Sequence, residues 1–368
     1  MKSALVIAIR NLFGEKGRLL ISAGGVAFSV TLILILLGLY FGWQLQMTRF
    51  LGSVPADLWV GQPGSGDLSH SISILSISTQ DELEQIEGVD RAVPFSGRRG
   101  GVEINGNEVA LYLIGLEEGG LVKPYAMEEG KEIPSNGEIV IDESLATNQG
   151  LAVGDEIEMF DRKFEIVGLS SGGNILAFTY AFISLDDLNE LMEFEQFTNY
   201  FMIQTDDPIG VKARIEDQFP NMQAFEQEVF LDRNAELIRE TFLPIIAVLV
   251  VIAISVGTAV IGLTIFTATI EKSREYGVLK AMGYFNHQIF SIAAIQSFAS
   301  GLIGFAAGNI LSPLIAKLAA SYTGGFVYEL GVREIAWVGS MTLLMIILAV
   351  LLPLRRIISI DPAAVFKA

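Results

Sequence analysis

Few side chains in this sequence could carry covalent chemistry. Cysteine is absent and histidine occurs twice, at His70 and His287. That excludes a catalytic thiol, a disulfide framework, a thiolate metal site and a histidine-rich metal centre. His70 can be grouped on paper with several serines and aspartates, but no spacing holds such a triad together, and a lone loop histidine is ordinarily solvated. The acidic pairs Asp186-Asp187 and Asp206-Asp207 read as helix starts and turns rather than metal ligands or general acids. No G-x-x-x-x-G-K-[ST] phosphate loop occurs, so the chain is not expected to hydrolyse a nucleotide through such a loop. The formal net charge of -18 argues against a nucleic-acid partner, which needs a basic face. The sequence is read as a non-enzyme that binds no metal or cofactor of its own.

Recognition chemistry is better supported. The most specific local sequence is Glu271-Lys272-Ser273-Arg274-Glu275-Tyr276-Gly277-Val278-Leu279-Lys280-Ala281-Met282-Gly283. Its pattern is that of a short amphipathic helix. Tyr276, Leu279 and Met282 lie three apart on one face, Glu271 can pair with Arg274 and Lys272 with Glu275, and Gly283 is a helix stop. Such a stripe flanked by charges suits docking in a partner's groove; composition alone equally allows a helix lying on a membrane surface.

The elements around this run are set by where charge is missing. Of 368 residues 51% are hydrophobic and 18% charged, with a mean hydropathy of +0.49. No Asp, Glu, Lys or Arg occurs for 30 positions after Arg18, 30 after Glu240, 36 after Lys280 and 20 after Glu334. A bilayer core needs about 20 apolar helical residues. The expectation is a multi-pass α-helical membrane protein with four transmembrane helices at 19–42, 243–269, 287–314 and 335–354. The first exceeds the roughly 7–15 residues of a signal-peptide core and lacks a small-residue cleavage site, so it is expected to stay. Long buried soluble helices are the alternative, but ordinary cores hold no such uncharged runs. Ten basic residues fall in the arm 1–18, the loop 270–286 and the tail 355–368, against five near the membrane on the other side. The positive-inside rule then places both termini and the 270–286 loop in the cytoplasm, and the segments 43–242 and 315–334 outside. Trp43 and Trp337 fall at the outer ends of the first and fourth spans, where aromatic belts sit.

The insertion between spans one and two is the acidic part. Residues 49–240 hold 36 acidic and 12 basic residues, while the rest of the chain is net positive by six. The acidity reads as a solvated surface, or as attraction for a cationic or amphiphilic substrate or a basic partner. Ser78–Leu83 reads as a capped helix start, 102–104 and 109–114 as strands joined at Asn105-Gly106, 138–141 as a strand followed by a short helix, 156–159 and 163–167 as a hairpin, and 209–219 as a helix. That makes a large α+β extracytoplasmic domain, with a β-rich middle lobe at about 116–197. Leu231, Ala235, Ile238 and Phe242 keep one helical face running into the second span, so the domain's ends read as a stalk rather than a plain linker. Gly38 and Gly42, and the ladder Ser300, Gly304 and Gly308, are small-residue faces for helix packing or a dimer seam. Gln288, Gln296 and Asn309 are expected to hydrogen-bond between helices.

Glu271 to Gly283 resembles the cytoplasmic loop of FtsX-like/MacB-like permeases, the membrane subunits of type VII ABC transporters, with the form E-[KR]-x-[RK]-E-[IYF]-G-x-L-[KR]-A-[LM]-G. Arg10-Asn11-Leu12, the stretch from Gly137 to Gly168 and Asp361-Pro362-Ala363-Ala364 are also similar to that family, and Tyr276 to Tyr284 leans toward heterocyst glycolipid-exporter-type permeases. The resemblance implies a homodimer in a bacterial cytoplasmic (inner) membrane, seated on separate ABC-type ATPases that bind ATP-Mg. In it Glu271, Lys272, Arg274, Glu275, Tyr276, Gly277, Leu279, Lys280, Met282 and Gly283 form the ATPase-docking coupling helix. The expected function is ATP-driven export or extraction of a hydrophobic or amphiphilic substrate. The alternative is mechanotransmission that regulates an extracytoplasmic enzyme such as a cell-wall hydrolase without transport. Membrane lipid is an implied partner and a periplasmic adaptor an optional one.

Overall fold

The computed structural model describes residues 7–8, 10, 14–68, 73–104, 106–175, 178–192, 196–322 and 326–358. His70, Asn105, Asn11-Leu12 and the Asp361–Ala364 motif lie outside them. The chain divides into two compact units, a helical one (1–41, 242–319 and 327–368) and an α+β one (42–241 and 320–326).

The helical unit is built on four long helices: α1 Lys16–Ser53, α6 Gln227–Glu271, α8 Asn286–Tyr322 and α9 Val332–Ile358. Each is long and apolar enough to cross a bilayer, because an uncharged run in lipid must satisfy its backbone within its own helix. α1 and α6 span about 57 and 68 Å at 1.5 Å per residue, so both exceed a hydrocarbon core of about 30 Å. The small-residue ladder packs inside this chain: a Cβ on Gly304 would lie 2.5 Å from Val26 Cβ, and one on Gly308 would lie 2.6 Å from Val30 Cγ1. Ser300 is fully buried beside them. A Cβ on Gly38 would strike the Tyr328 ring at 2.5 Å; Gly42 is buried in the other unit. Two of the amides behave differently from expectation. Gln288 accepts from the Phe285 amide at 2.9 Å and so caps α8, while Asn309 donates to Phe305 O one turn back at 2.9 Å. Each of these side chains bonds a local backbone group instead; Gln296 is buried.

In the α+β unit, β1 Leu58–Gly61, β3 Arg91–Phe95, β13 Tyr200–Gln204 and β14 Gln223–Glu226 form an antiparallel sheet in the order β14-β1-β13-β3. Helices α2 Thr79–Glu84 and α5 Pro208–Gln218 supply Leu83, Val211 and Ile215 to its core. Ser78 precedes α2 without making a side-chain cap, contrary to the capped start; its hydroxyl meets Ser76 instead. The second sheet runs β4 (Gly97–Ile104), β5 (Asn107–Leu116), β11 (Phe178–Ser184), β7 (Glu138–Asp142), β9 (Arg162–Ser171) and β6 (Ala126–Gly130) in that order. β8 Glu156–Met159 adds to β9 and β10 Asn174–Ile175 to β11, while β2 Leu75–Ser76 and β12 Phe197–Thr198 pair with each other. The lobe boundary at 116 is thereby corrected. β4 and β5 belong to the second sheet, because β5 pairs in parallel with the distant, wholly buried β11. Residues 160–161 close the β8–β9 hairpin with φ of 50° and 61°, the two left-handed residues of a type I′ turn.

Acidic side chains here hold the fold. Asp187, on α4 (Leu185–Met192), is almost wholly buried and accepts from Gly137 N at 2.7 Å, Ser184 Oγ at 2.8 Å and Arg162 at 2.8 Å. Asp142 caps α3 (Glu143–Gln149) and accepts from Ser144 N and Gly173 N. Burial pushes the Asp142 carboxyl up despite those donors. Asp187→Ala should destabilise this unit by about 1–3 kcal/mol, since it leaves Gly137 N and Ser184 Oγ without their acceptor, while Arg162 keeps Glu190; earlier cleavage in limited proteolysis of the full chain would register it.

Candidate functional site

The charged run lies where α6 ends. Lys272 leaves helical geometry at φ -89°, ψ 13°, and a new helix, α7 Ser273–Ala281, begins. It stops at Gly283, whose φ of +96° favours glycine, with Gly283 N donating to Lys280 O and Tyr284 N to Leu279 O. Arg274, Glu275, Val278, Ala281 and Met282 are exposed, Leu279 and Lys280 half-buried, and Tyr276 and Gly277 buried. This corrects the stripe expected from the sequence. Tyr276 turns into its own chain, and burial, then the nearby Glu275 and Glu15 carboxylates, push its phenol up to about 12. The apolar groups left on the open face are Val278 and Met282, 39% and 65% exposed.

The expected pairs within the helix are replaced by long-range ones. Lys272 Nζ lies 2.7 Å from Glu15 Oε1, and the Arg18 guanidinium pairs with both Glu15 and Glu271. These charges tie the foot of α1 to the junction of α6 and α7. Partial burial raises the Glu15 carboxyl, but Lys272 and Arg18 outweigh it and hold the group below the ordinary carboxylate range. Because the folded value is depressed, the stabilisation is present at neutral pH and is lost only as pH falls through that depressed value. Lys272→Glu should weaken this tie by about 1 kcal/mol. In a double-mutant cycle of Glu15→Gln and Lys272→Gln read by thermal unfolding, the double variant should lose less than the two single losses summed.

At the other ends of the two long helices lies an aromatic core. Phe50 of α1 packs on Tyr180 and Phe182 of β11, with ring centroids 4.7 and 5.7 Å apart. Phe230 of α6 stacks on Trp59 of β1 at 4.6 Å and 9°. Asn234, fully buried, accepts from Leu68 N at 3.0 Å and donates to Phe230 O. Gln227 accepts from the Trp59 indole and donates to Leu51 O at 2.9 Å. α1 therefore grips the eight-stranded sheet and α6 the four-stranded one. Of the stalk face, Ile238 is buried and Leu231, Ala235 and Phe242 are half-buried. Phe50, Phe230 and Asn234 went unnoticed in the sequence; an amide and a phenylalanine one turn apart at the mouth of a long helix were the available signal. Among the described residues no cluster of His, Asp and Glu could hold a metal ion.

Residues 19–218 match the MacB-like periplasmic core domain family and residues 247–362 match the FtsX-like permease C-terminal family. The chain belongs to the FtsX-like/MacB-like permease family. Its order of elements agrees, with an α+β domain between the first and second of four candidate membrane spans. An uncharacterized ABC transporter permease of Mycobacterium bovis is 25% identical over 98% of this chain and 99% of its own length. The lipoprotein-releasing system transmembrane protein LolC of Haemophilus influenzae is 22% identical over 93% and 91%. The periplasmic region of MacB from Actinobacillus actinomycetemcomitans gives a TM-score of 0.36 at 14% identity, covering 50% of this chain and 94% of that one. FtsX-like/MacB-like permeases such as these relatives are membrane subunits of ABC transporters, and four apolar helices with a MacB-like domain fit an inner-membrane protein.

Proposed function

We propose that this permease works as a homodimer on two separate ATPases and passes their motion to its outer domain, where a hydrophobic or amphiphilic substrate is extracted or exported. The observation that carries this reading is the open face of α7, Arg274, Val278 and Met282, on a helix whose foot is tied by charge to α1 and joined directly to α6. An ATPase that pushed α7 would act on both long helices, on α6 through the chain and on α1 through the ion pairs. α1 and α6 end on different sheets, so unequal movement of the two would shear the aromatic core between them. The charge asymmetry supports an orientation with α7 in the cytoplasm and the acidic domain outside. A relative named for lipoprotein release supports an amphiphilic substrate.

The test is co-purification of the full chain with its nucleotide-binding subunit. Val278→Glu/Met282→Glu should lower the recovered complex and the stimulated ATPase rate more than tenfold, because desolvated apolar anchors carry most docking energy. A complex that survives both substitutions would overturn the reading. The orientation is checked separately on this cysteine-free chain: a membrane-impermeant maleimide added to intact cells should label Asp161→Cys and spare Ala281→Cys. An ATPase stimulated only by a bound cell-wall hydrolase, with no substrate moved, would replace export by signalling.

A further inference from the structure

We propose that one ordered water binds between α1, α6 and α8, near the foot of α1, and takes the hydrogen bond that Ser300 of α8 does not make to protein. The seam between α1 and α8 leads to the site. Gly304 and Gly308 of α8 meet Val26 and Val30 of α1, so the two helices run parallel and in step, four residues at a time. One turn lower the same register brings Ser300 opposite Ser22. A cavity of about 20 Å³ opens there, lined by Ser22, Thr264, Gln296, Ser300 and the Glu15–Arg18 pair. A water needs about 10–15 Å³ of such space and two to four polar partners, so the cavity suits one water and is too small for two.

The hydroxyls around the cavity differ in one respect. Ser22 Oγ donates to Arg18 O at 2.8 Å and Thr264 Oγ1 to Val260 O at 2.6 Å, the local bond usual for a helical hydroxyl. Ser300 Oγ is fully buried and makes no bond to any protein group. A buried hydroxyl left without a partner is costly, and a water at this point removes that cost. It accepts from Ser300 Oγ and donates into the free lone pairs of Ser22, Thr264, Gln296 or Glu15. Charge decides against an ion. Glu15 and Glu271 are balanced by Arg18 and Lys272, with Arg18 paired to both carboxylates. A sodium or potassium ion would meet the guanidinium and an anion the carboxylate, whereas a neutral molecule that both donates and accepts meets neither. The water thus links α8 to the ion pairs at the foot of α1. The site stands independently of whether α7 meets an ATPase.

Two measurements on the full chain test this. A crystal or cryo-electron microscopy map that resolves ordered water should show one peak about 2.7–3.0 Å from Ser300 Oγ, within hydrogen-bond reach of a second lining side chain. Ser300→Ala should lower the unfolding temperature by about 2–4 °C, because a bridging water is worth nearly a direct bond and loses its donor. The sign is what discriminates. A hydroxyl that stands without any partner destabilises the fold, so its removal would raise the unfolding temperature or leave it unchanged. A map without the peak, or a Ser300→Ala chain at least as stable as wild type, overturns the proposal. So does an unfolding temperature that rises with sodium or potassium relative to choline at equal ionic strength, which would make the occupant a cation.

Discussion

Gly304→Leu should leave almost no folded chain recoverable from the membrane, and Gly304→Ala should already lower the unfolding temperature. A Cβ at this position would lie 2.5 Å from Val26 Cβ and 2.7 Å from Ala23 O. The second contact is backbone, so no rotamer change relieves it and α1 and α8 must move apart. Overpacking in a well-packed interior costs about 1–3 kcal/mol, and leucine adds three more carbons to the same space. The loss spreads along the seam, since Gly308 meets Val30 one turn further on and Thr31 Oγ1 bonds Gly308 O at 3.5 Å. In lipid no hydrophobic force compensates, because helix association there depends on close packing itself. Gly24→Ala is the matched control. It lies on the same helix as Val26 with nothing within 4 Å of its Cβ, and should leave the unfolding temperature unchanged or slightly raised. Monodisperse yield in size-exclusion chromatography and a thermal melt separate the outcomes. Normal yield of Gly304→Leu would mean that this seam is not closed in the native chain.

What could be read from the sequence is what depends on local pattern. Uncharged runs of at least 20 positions mark the four long helices because a bilayer imposes one length and one polarity on every span. The strands of the β8–β9 hairpin follow from alternation, yet its turn does not, because Phe160 and Asp161 occupy left-handed geometry without a glycine. The parallel pairing of β5 with β11 joins residues 111–116 to 179–184, and no local pattern encodes a partner that far along the chain. The same holds at α7. Helical spacing places Tyr276, Leu279 and Met282 on one side, but it does not say which part of that side the protein itself will cover. Glu15 and Arg18 answer that from more than 250 residues away, by drawing Lys272 and Glu271 toward the foot of α1 and breaking up the helix-internal pairs that spacing suggested.

Joining α1 to α6 at their outer ends should stop substrate movement to below about a tenth of the wild-type rate while ATP hydrolysis by the partner continues. Position 52 of α1 and Leu231 of α6 adjoin, since a Cβ on Gly52 would lie 3.7 Å from Leu231 Cδ1, so Gly52→Cys/Leu231→Cys can be joined by a short bis-methanethiosulfonate linker, which a reductant releases. The chain has no cysteine of its own, so any bridge is the designed one. The Gln227 amide bonds Leu51 O and Val54 O, at about 1 kcal/mol per bond, and Met47, Phe50, Leu51 and Val54 of α1 share one buried cluster with Phe230 of α6. Each helix also grips its own sheet, Phe50 against Tyr180 and Phe182 and Phe230 against Trp59, contacts of a kind that cost about 3–5 kcal/mol to delete. Unequal movement of the two helices would therefore carry each sheet with its own helix and slide the shared cluster. A covalent bridge blocks that sliding. Reductant should restore transport, and the single-cysteine chains should behave as wild type, which separates locking from damage. Undiminished transport by a fully bridged chain would show that α1 and α6 move as one body, and a relay that works by shearing the two sheets could not then operate.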